Sequence, residues 1–335
     1  MSLSAWGWND DFARLGHTSP ARVTSEARGF CRIQTESGDR TAATRCDPPP
    51  VTGDWVVWDN TGITGVLERR TKISRRKAGR ETAEQVLAAN VDVLFIVTAL
   101  DGDFNLRRLE RYLIVARQGG VEPLIVLNKA DLCPDPLAGL RQVDELVRGL
   151  VPVVLTSALD DASTAQLHRY MEPGQTAALV GSSGVGKSTL VNRLLGQQAQ
   201  PTAAVRESDS RGRHTTSARQ LFLLDAGWLL MDTPGLREVE PWGPPEAVDG
   251  VFEDIAGFAT LCRFRDCRHQ DEPDCGVRAA AGQGELPPGR LDSYLKLRGE
   301  LERLERMRDL SATLEEKRKW KAIHRAMRRM PDKRR

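Results

Sequence analysis

Thr176-Ala177-Ala178-Leu179-Val180-Gly181-Ser182-Ser183-Gly184-Val185-Gly186-Lys187-Ser188-Thr189 is the stretch on which the fold turns. Thr176 to Val180 reads as a short buried strand and Thr189 to Leu195 as the helix behind it, with a G-x4-G-K-S loop between them. In such a loop the glycines let backbone N–H groups turn inward, and the following helix presents its positive end, an arrangement suited to phosphate. Gly181, Ser182, Ser183, Gly184, Val185, Gly186, Lys187, Ser188 and Thr189 are therefore the phosphate-binding candidates. Lys187 would reach the β and γ phosphates of a nucleotide and assist their chemistry, and the Ser188 hydroxyl would hold Mg2+.

Upstream, apolar strands alternate with amphipathic helices. Val91 to Leu100 is a continuous buried-strand run, followed by a helix through Leu106, Leu109, Leu113 and Ile114. Leu124 to Leu127 and Val151 to Leu155 are further strands around a helix from Leu137 to Leu150. Downstream, Leu221 to Leu224 and Trp228 to Met231 read as an antiparallel pair. This is the pattern of a doubly wound α/β sheet with nucleotide loops at its carboxyl edge.

Asn128-Lys129-Ala130-Asp131 closes the Leu124 to Leu127 strand. Asn and Asp also suit a plain helix-capping loop, but the position at a strand end favours base recognition. The Asp131 carboxylate can accept two hydrogen bonds from guanine N1–H and the exocyclic amine, a pair that adenine does not offer. Lys129 would lie over the base and Asn128 would brace the loop. Thr156-Ser157-Ala158 ends the next strand and makes Ser157 and Ala158 candidates for a backbone contact to guanine O6. This guanine-reading motif precedes the phosphate loop, whereas in Ras-type GTPases it follows.

Asp232-Thr233-Pro234-Gly235 ends another strand and fits a switch II motif, with Asp232 toward Mg2+ through water and the Gly235 N–H toward the γ-phosphate. The next residue is Leu236, where Ras-type enzymes carry a water-orienting glutamine. His214, in Arg211-Gly212-Arg213-His214-Thr215-Thr216-Ser217, can accept a hydrogen bond from water or take its proton; a surface histidine in a basic loop is the plain alternative. Thr216, or its neighbour Thr215, would ligand Mg2+ in the triphosphate state.

Three of the six cysteines crowd into Cys262-x4-Cys267-x-His269-x5-Cys275, which supplies three thiolates and an imidazole within fourteen residues. Four protein ligands make a closed tetrahedral zinc site, structural rather than catalytic, on which this segment would depend for folding. Cys31, Cys46 and Cys133 read as plain thiols.

The 335 residues are 40% apolar and 28% charged, with a net charge of +2, and fit two or three globular domains. No stretch is apolar enough to span a bilayer, and the start has no basic leader, so the expected location is the cytoplasm. Arg69 to Arg80 holds seven Lys/Arg and no acid, and Lys317 to the end holds ten against Asp332 alone. Two such runs flanking a nucleotide-binding core point to a polyanion, with RNA the favoured class. Before about residue 70 the chain reads as short strands, Ala21 to Ile33, Val51 to Asp59 and Gly62 to Leu67, in the manner of a small barrel of OB or SH3-like type. After Pro241 the sequence becomes irregular, then ends in a long charged helix with Tyr294, Leu297, Leu301 and Leu304 on one stripe, expected to pack on the metal segment or the α/β domain.

With Ser74-Arg-Arg-Lys-Ala-Gly79, LNKADL, GSSGVGKST, GRHTT, DTPGL, CRFRDCRH and EPDC in place, nearly the whole chain resembles the circularly permuted, small-ribosomal-subunit-dependent GTPases of the RsgA/YjeQ family. The resemblance implies an N-terminal extension over 1–20, an OB-fold RNA-binding barrel over 21–72, a basic linker over 73–90, a permuted GTPase domain over 91–240, and a zinc-binding α-helical domain over 241–335. It further implies late maturation of the small ribosomal subunit as the role, GTP hydrolysis stimulated by that subunit, rRNA and GTP/GDP as partners, and His214 in place of the missing glutamine; the sequence is silent on oligomeric state, and a monomer is the expectation for a subunit-binding factor. Residues 1–20 match no motif, and Ser217 stands where a third threonine is common. Two other readings compete: a GTP-gated RNA-binding assembly factor in which hydrolysis is incidental, and a metabolic P-loop kinase, which would have no use for Asn128-Lys129-x-Asp131.

Overall fold

The computed structural model describes residues 2–14, 19–59, 61–77, 83–102, 104–196, 219–232 and 240–327, with side chains only as far as residue 310 in the last helix. The chain divides into two compact units, one of residues 1–75 and 86–241 and the other of 76–85 and 242–335.

The first unit is built on one continuous sheet. Its parallel part contains β8 (Val93–Ala99), β9 (Glu122–Asn128), β10 (Val153–Leu155), β11 (Thr176–Val180) and β13 (Leu229–Asp232), in the order β10-β9-β8-β11-β13. All seven residues of β8 and all five of β11 are buried, as expected for central parallel strands covered on both faces. Phe95, Val97, Leu124, Val126, Leu179, Leu190, Trp228 and Leu230 belong to the cluster that fills one face.

The crossover helices begin and end on local signals. α2 (Leu106–Gly119) is capped by Asn105, whose side chain accepts from the amides of Arg107 and Arg108, and it stops at Gly120 in the left-handed region. α3 (Pro136–Val147) is capped by Asp135, with Pro136 in its first turn. The phosphate-loop helix, α5, spans Lys187–Leu194.

At its other edge the sheet continues through β12 (Gln220–Leu223), antiparallel to β13 with Leu221 opposite Met231, into β1 (Pro20–Ala27) through the pair Ser25–Gln220. β1 pairs with β2 (Phe30–Thr35) and β4 (Trp55–Asp59), β2 with β3 (Gly38–Ala43), and β4 with β5 (Gly62–Val66), all antiparallel. A parallel bridge from Thr44 to Ile63 brings the β3 end to β5, so the five strands curl around Ala21, Val23, Cys31, Ile33, Val56 and Ile63. The stretch expected as one strand from Ala21 to Ile33 is two, divided at Gly29 with φ +81°.

Buried polar groups tie this curled sheet to the parallel one. Arg22, on β1, donates to the Asn90 carbonyl at 3.0 Å and to Thr176 Oγ1 at 3.2 Å, and lies 5.0 Å over Trp55. Burial lowers its guanidinium pKa to about 10. The N-terminal residues join the same core, with Trp8 and Phe12 against Trp55. β6 (Lys72–Arg76), in the basic stretch after residue 70, pairs with β7 (Glu84–Ala89), which follows that stretch.

In the second unit, α6 (Glu253–Ala259), α7 (Gly276–Gly282) and the long α8 (Arg290–Met327) surround an irregular segment. Tyr294, Leu297 and Leu301 are buried and Leu304 is half-buried. The stripe packs on the cysteine-bearing segment: Tyr294 meets the rings of Phe252 and His269.

Candidate functional site

The phosphate loop leaves the sheet at Gly181, whose φ is +146° and whose missing Cβ would lie 2.1 Å from the Val97 carbonyl oxygen on β8. Any side chain there would collide with backbone, so close approach of loop and strand requires glycine. Gly186, φ +96°, is the residue before α5, and a Cβ on it would sit 2.3 Å from the Asn128 side-chain nitrogen. The Lys187 ammonium donates to the Gly181 carbonyl at 2.7 Å and also to that of Ser182. Ser188 and Thr189 stand in the first turn of α5, where the amides lack carbonyl partners within the helix.

β9 ends at Asn128, opposite Ala99 of β8, and the Asn128 side chain is almost wholly buried. Its amide nitrogen donates to the Val185 carbonyl at 2.7 Å; its oxygen accepts from the Ala158 amide at 2.9 Å and from the Thr156 hydroxyl at 3.3 Å. One side chain thus joins the phosphate loop, the Asn128–Asp131 loop and the Thr156–Ala158 loop. The latter two also meet through the Ala130 amide and the Thr156 carbonyl, at 3.0 Å.

Lys129 has φ +59°, and its ammonium pairs with Asp101 at 2.9 Å. Asp131 is exposed within a single 3-10 turn, Ala130–Leu132. Ser157 is held by Ser163, which accepts from its amide and donates to its carbonyl, both at 2.9 Å. Arg193, from α5, donates to the carbonyls of Ala158 and Leu159 and pairs with Asp161 at 2.7 Å. Neither Asp101 nor Arg193 stands in a motif; their roles arise from partners 28 and 35 residues away, respectively.

Asp232 is the last residue of β13, one position past Met231, which pairs with Ala178 of β11. The phosphate loop and Asp232 therefore emerge from neighbouring strands at the same carboxyl edge. His214, Thr215, Thr216, Gly235 and Leu236 lie outside the described residues.

In the second unit, the ligand atoms of Cys262, Cys267, His269 and Cys275 all lie within 4.8 Å of one another. Cys262 Sγ is 3.8 Å from Cys275 Sγ and 3.6 Å from His269 Nδ1, and Cys275 Sγ is 3.5 Å from the same nitrogen. A tetrahedron with ordinary Zn–S and Zn–N bonds has S···S edges of about 3.8 Å and S···N edges of about 3.6 Å. The donor set fits zinc in both chemistry and spacing.

The scaffold holds the set locally. Glu272 accepts from the amides of Arg268 and Gln270, at 2.9 and 3.0 Å, and so pins the loop around His269. Gly276 is packed so closely that a Cβ would lie 2.7 Å from both Leu261 Cβ and the Phe258 carbonyl oxygen. Burial raises the Cys262 pKa, but the amides of Val277 and Gly276 and the neighbouring thiols outweigh it and set the value below that of an ordinary thiol. Burial, with the neighbouring Cys275 and Cys262 thiols, pushes Cys267 up to about 11. Three thiols this close resist ionising together, and a divalent cation removes that conflict.

A permuted phosphate-loop α/β unit and a unit with a Cys3His cluster in one chain define a narrow class of nucleotide-binding protein. Residues 66–242 match the RsgA GTPase family. The chain is 44% identical over 98% of its length to the small ribosomal subunit biogenesis GTPase RsgA of Opitutus terrae, covering 97% of that protein. It is 51% identical over 75% of its length to the protein of the same name from Xylella fastidiosa strain 9a5c, covering 73% of it. Among solved structures, YjeQ from Thermotoga maritima superposes with a TM-score of 0.63 at 27% identity, over 84% of this chain and 98% of that one. YloQ, described as a circularly permuted GTPase, gives 0.60 at 25% identity, over 85% of this chain and 96% of that one. The chain belongs to the RsgA GTPase family, and its activity is that of a GTP hydrolase.

Proposed function

We propose that this GTPase acts in late maturation of the small ribosomal subunit, binding rRNA and hydrolysing GTP to GDP and phosphate with stimulation by the subunit. The observation that carries the nucleotide reading is Asn128, which stands in one base-side loop and whose side chain bonds to the phosphate loop and to the Thr156–Ala158 loop. The names of the Opitutus and Xylella relatives support the ribosomal role.

Amides of Gly181 to Thr189 cradle the phosphates, and the Lys187 ammonium leaves its loop carbonyls for the β and γ phosphates. Asp131 accepts from the guanine edge, Lys129 covers the base, and the Ser157–Ala158 backbone meets O6. Ser188 and Asp232, at the helix start and the adjacent strand end, would hold Mg2+ together with Thr216. When bound, that ion neutralises charge on the β and γ oxygens. His214 orients the attacking water in place of the glutamine that Leu236 displaces, and Gly235 meets the γ-phosphate.

The curled five-strand sheet is assigned as an OB-fold barrel, supported by the order β3-β2-β1-β4-β5 and the parallel bridge from Thr44 to Ile63. Domain limits are proposed at 21–72, 73–90, 91–240 and 241–335, with zinc held structurally by Cys262, Cys267, His269 and Cys275. The protein works in the cytoplasm as a monomer. Among the described residues, no helix is long and apolar enough to cross a membrane.

GTP turnover with and without purified small ribosomal subunits tests the proposal. Stimulation of at least tenfold that His214→Ala abolishes is expected; equal rates would contradict it. An assembly factor in which turnover is incidental would instead keep its function in His214→Ala.

A further inference from the structure

We infer that Asp101 is a positioning residue for guanine-nucleotide binding, acting through Lys129; this rests on the assignment of Lys129 to the base. The two residues meet because of sheet register. β8 and β9 run parallel with Ala99 opposite Asn128, and the Leu100 amide donates to the Asn128 carbonyl at 2.9 Å. The next residue along each chain is Asp101 on one side and Lys129 on the other, and their side chains close at 2.9 Å.

Both side chains keep about a third of their surface in solvent, 29% for Lys129 and 35% for Asp101. The pair therefore stands at the mouth of the site and not in the core. Lysine has a flexible four-carbon stem that loses rotamer freedom whenever it is held in one place. Here the backbone end is fixed by φ +59° and by the Leu132 amide donating to the Lys129 carbonyl at 3.0 Å. Asp101 fixes the charged end. With both ends held, the apolar stem is set before the base arrives, and part of the ordering cost is removed from binding. The carboxylate also gives the ammonium a partner on the β8 side, so that the nucleotide phosphates do not draw it off the base.

Such a residue affects affinity and not chemistry, because the pair belongs to the base end of the site. Asp101→Asn should raise the dissociation constant of fluorescent GDP and of a non-hydrolysable GTP analogue by the same factor, about three- to five-fold, the upper range for a partly exposed ion pair. KM for GTP should rise with kcat unchanged, and Asp101→Glu should recover most of the loss. In a Lys129→Ala background the Asp101→Asn change should have no further effect.

Unchanged affinity in Asp101→Asn, or an equal loss with and without Lys129, would overturn the inference. A fall in kcat with KM unchanged would also overturn it. If the unaltered protein bound no guanine nucleotide, the base assignment would fail first and this inference with it.

Discussion

At the scale of single residues, the site depends on contacts between stretches far apart in the chain. Asn128 illustrates the energetics. Replacing it with alanine leaves the Val185 carbonyl, the Ala158 amide and the Thr156 hydroxyl without this partner, and each buried group left unpaired costs about 1–3 kcal/mol. Asn128→Ala should lower the melting temperature and weaken GDP binding at least tenfold, by calorimetry and by titration with fluorescent nucleotide. Gly186→Ala should fail from the other side of the same contact, since its Cβ would strike the Asn128 amide nitrogen and its φ of +96° disfavours any side chain. GDP binding in Gly186→Ala within twofold of wild type would show that this packing is dispensable.

At the scale of elements, the second unit is clamped by a buried pair joining α6 and α8. Arg290 donates to Asp254 at 2.9 and 3.1 Å and to the Val251 carbonyl at 2.9 Å, and lies 4.0 Å over the Phe252 ring. Removing one partner of such a pair leaves a buried charge uncompensated. Asp254→Ala should therefore destabilise this unit by about 3–5 kcal/mol in denaturant titration. A change under 1 kcal/mol would mean that helix packing alone holds α8.

Elements with strong apolar runs were legible in the sequence for a physical reason: β8 and β11 are buried on both faces, so nearly every position is apolar. β3 escaped notice because Gly-Asp-Arg-Thr-Ala-Ala has one buried residue, Ala42, and no alternation. β6 hid within a basic run that composition marks only as charged, and its partner β7, Glu-Gln-Val-Leu-Ala-Ala, shows no alternation of buried and exposed positions. The metal ligands and phosphate loop were readable because their chemistry needs fixed local spacing. Asp101 and Arg193 were not, since their partners are brought to them by sheet register and helix packing.

At the scale of the whole molecule, chain order has consequences that the individual motifs do not. Zinc would be a folding ligand of the second unit alone, while the nucleotide loops belong to the first. A strong chelator should therefore abolish small-subunit binding and reduce helical circular dichroism, yet leave GDP affinity within about twofold; loss of both together would refute this separation. In chain order, permutation also makes the cysteine-bearing unit follow Asp232, in place of the guanine-reading half. Small-subunit affinity should accordingly be higher with a non-hydrolysable GTP analogue than with GDP, and equal affinities would exclude such coupling.

The central claim is that loops from two shuffled halves of one sheet enclose a single guanine nucleotide. Its most direct measurement is competition for bound GDP by ADP and xanthosine diphosphate, in the unaltered protein and in Asp131→Asn. The account predicts that ADP fails against both and that xanthosine diphosphate displaces GDP from the variant. Ready displacement of GDP by ADP from the unaltered protein would contradict it.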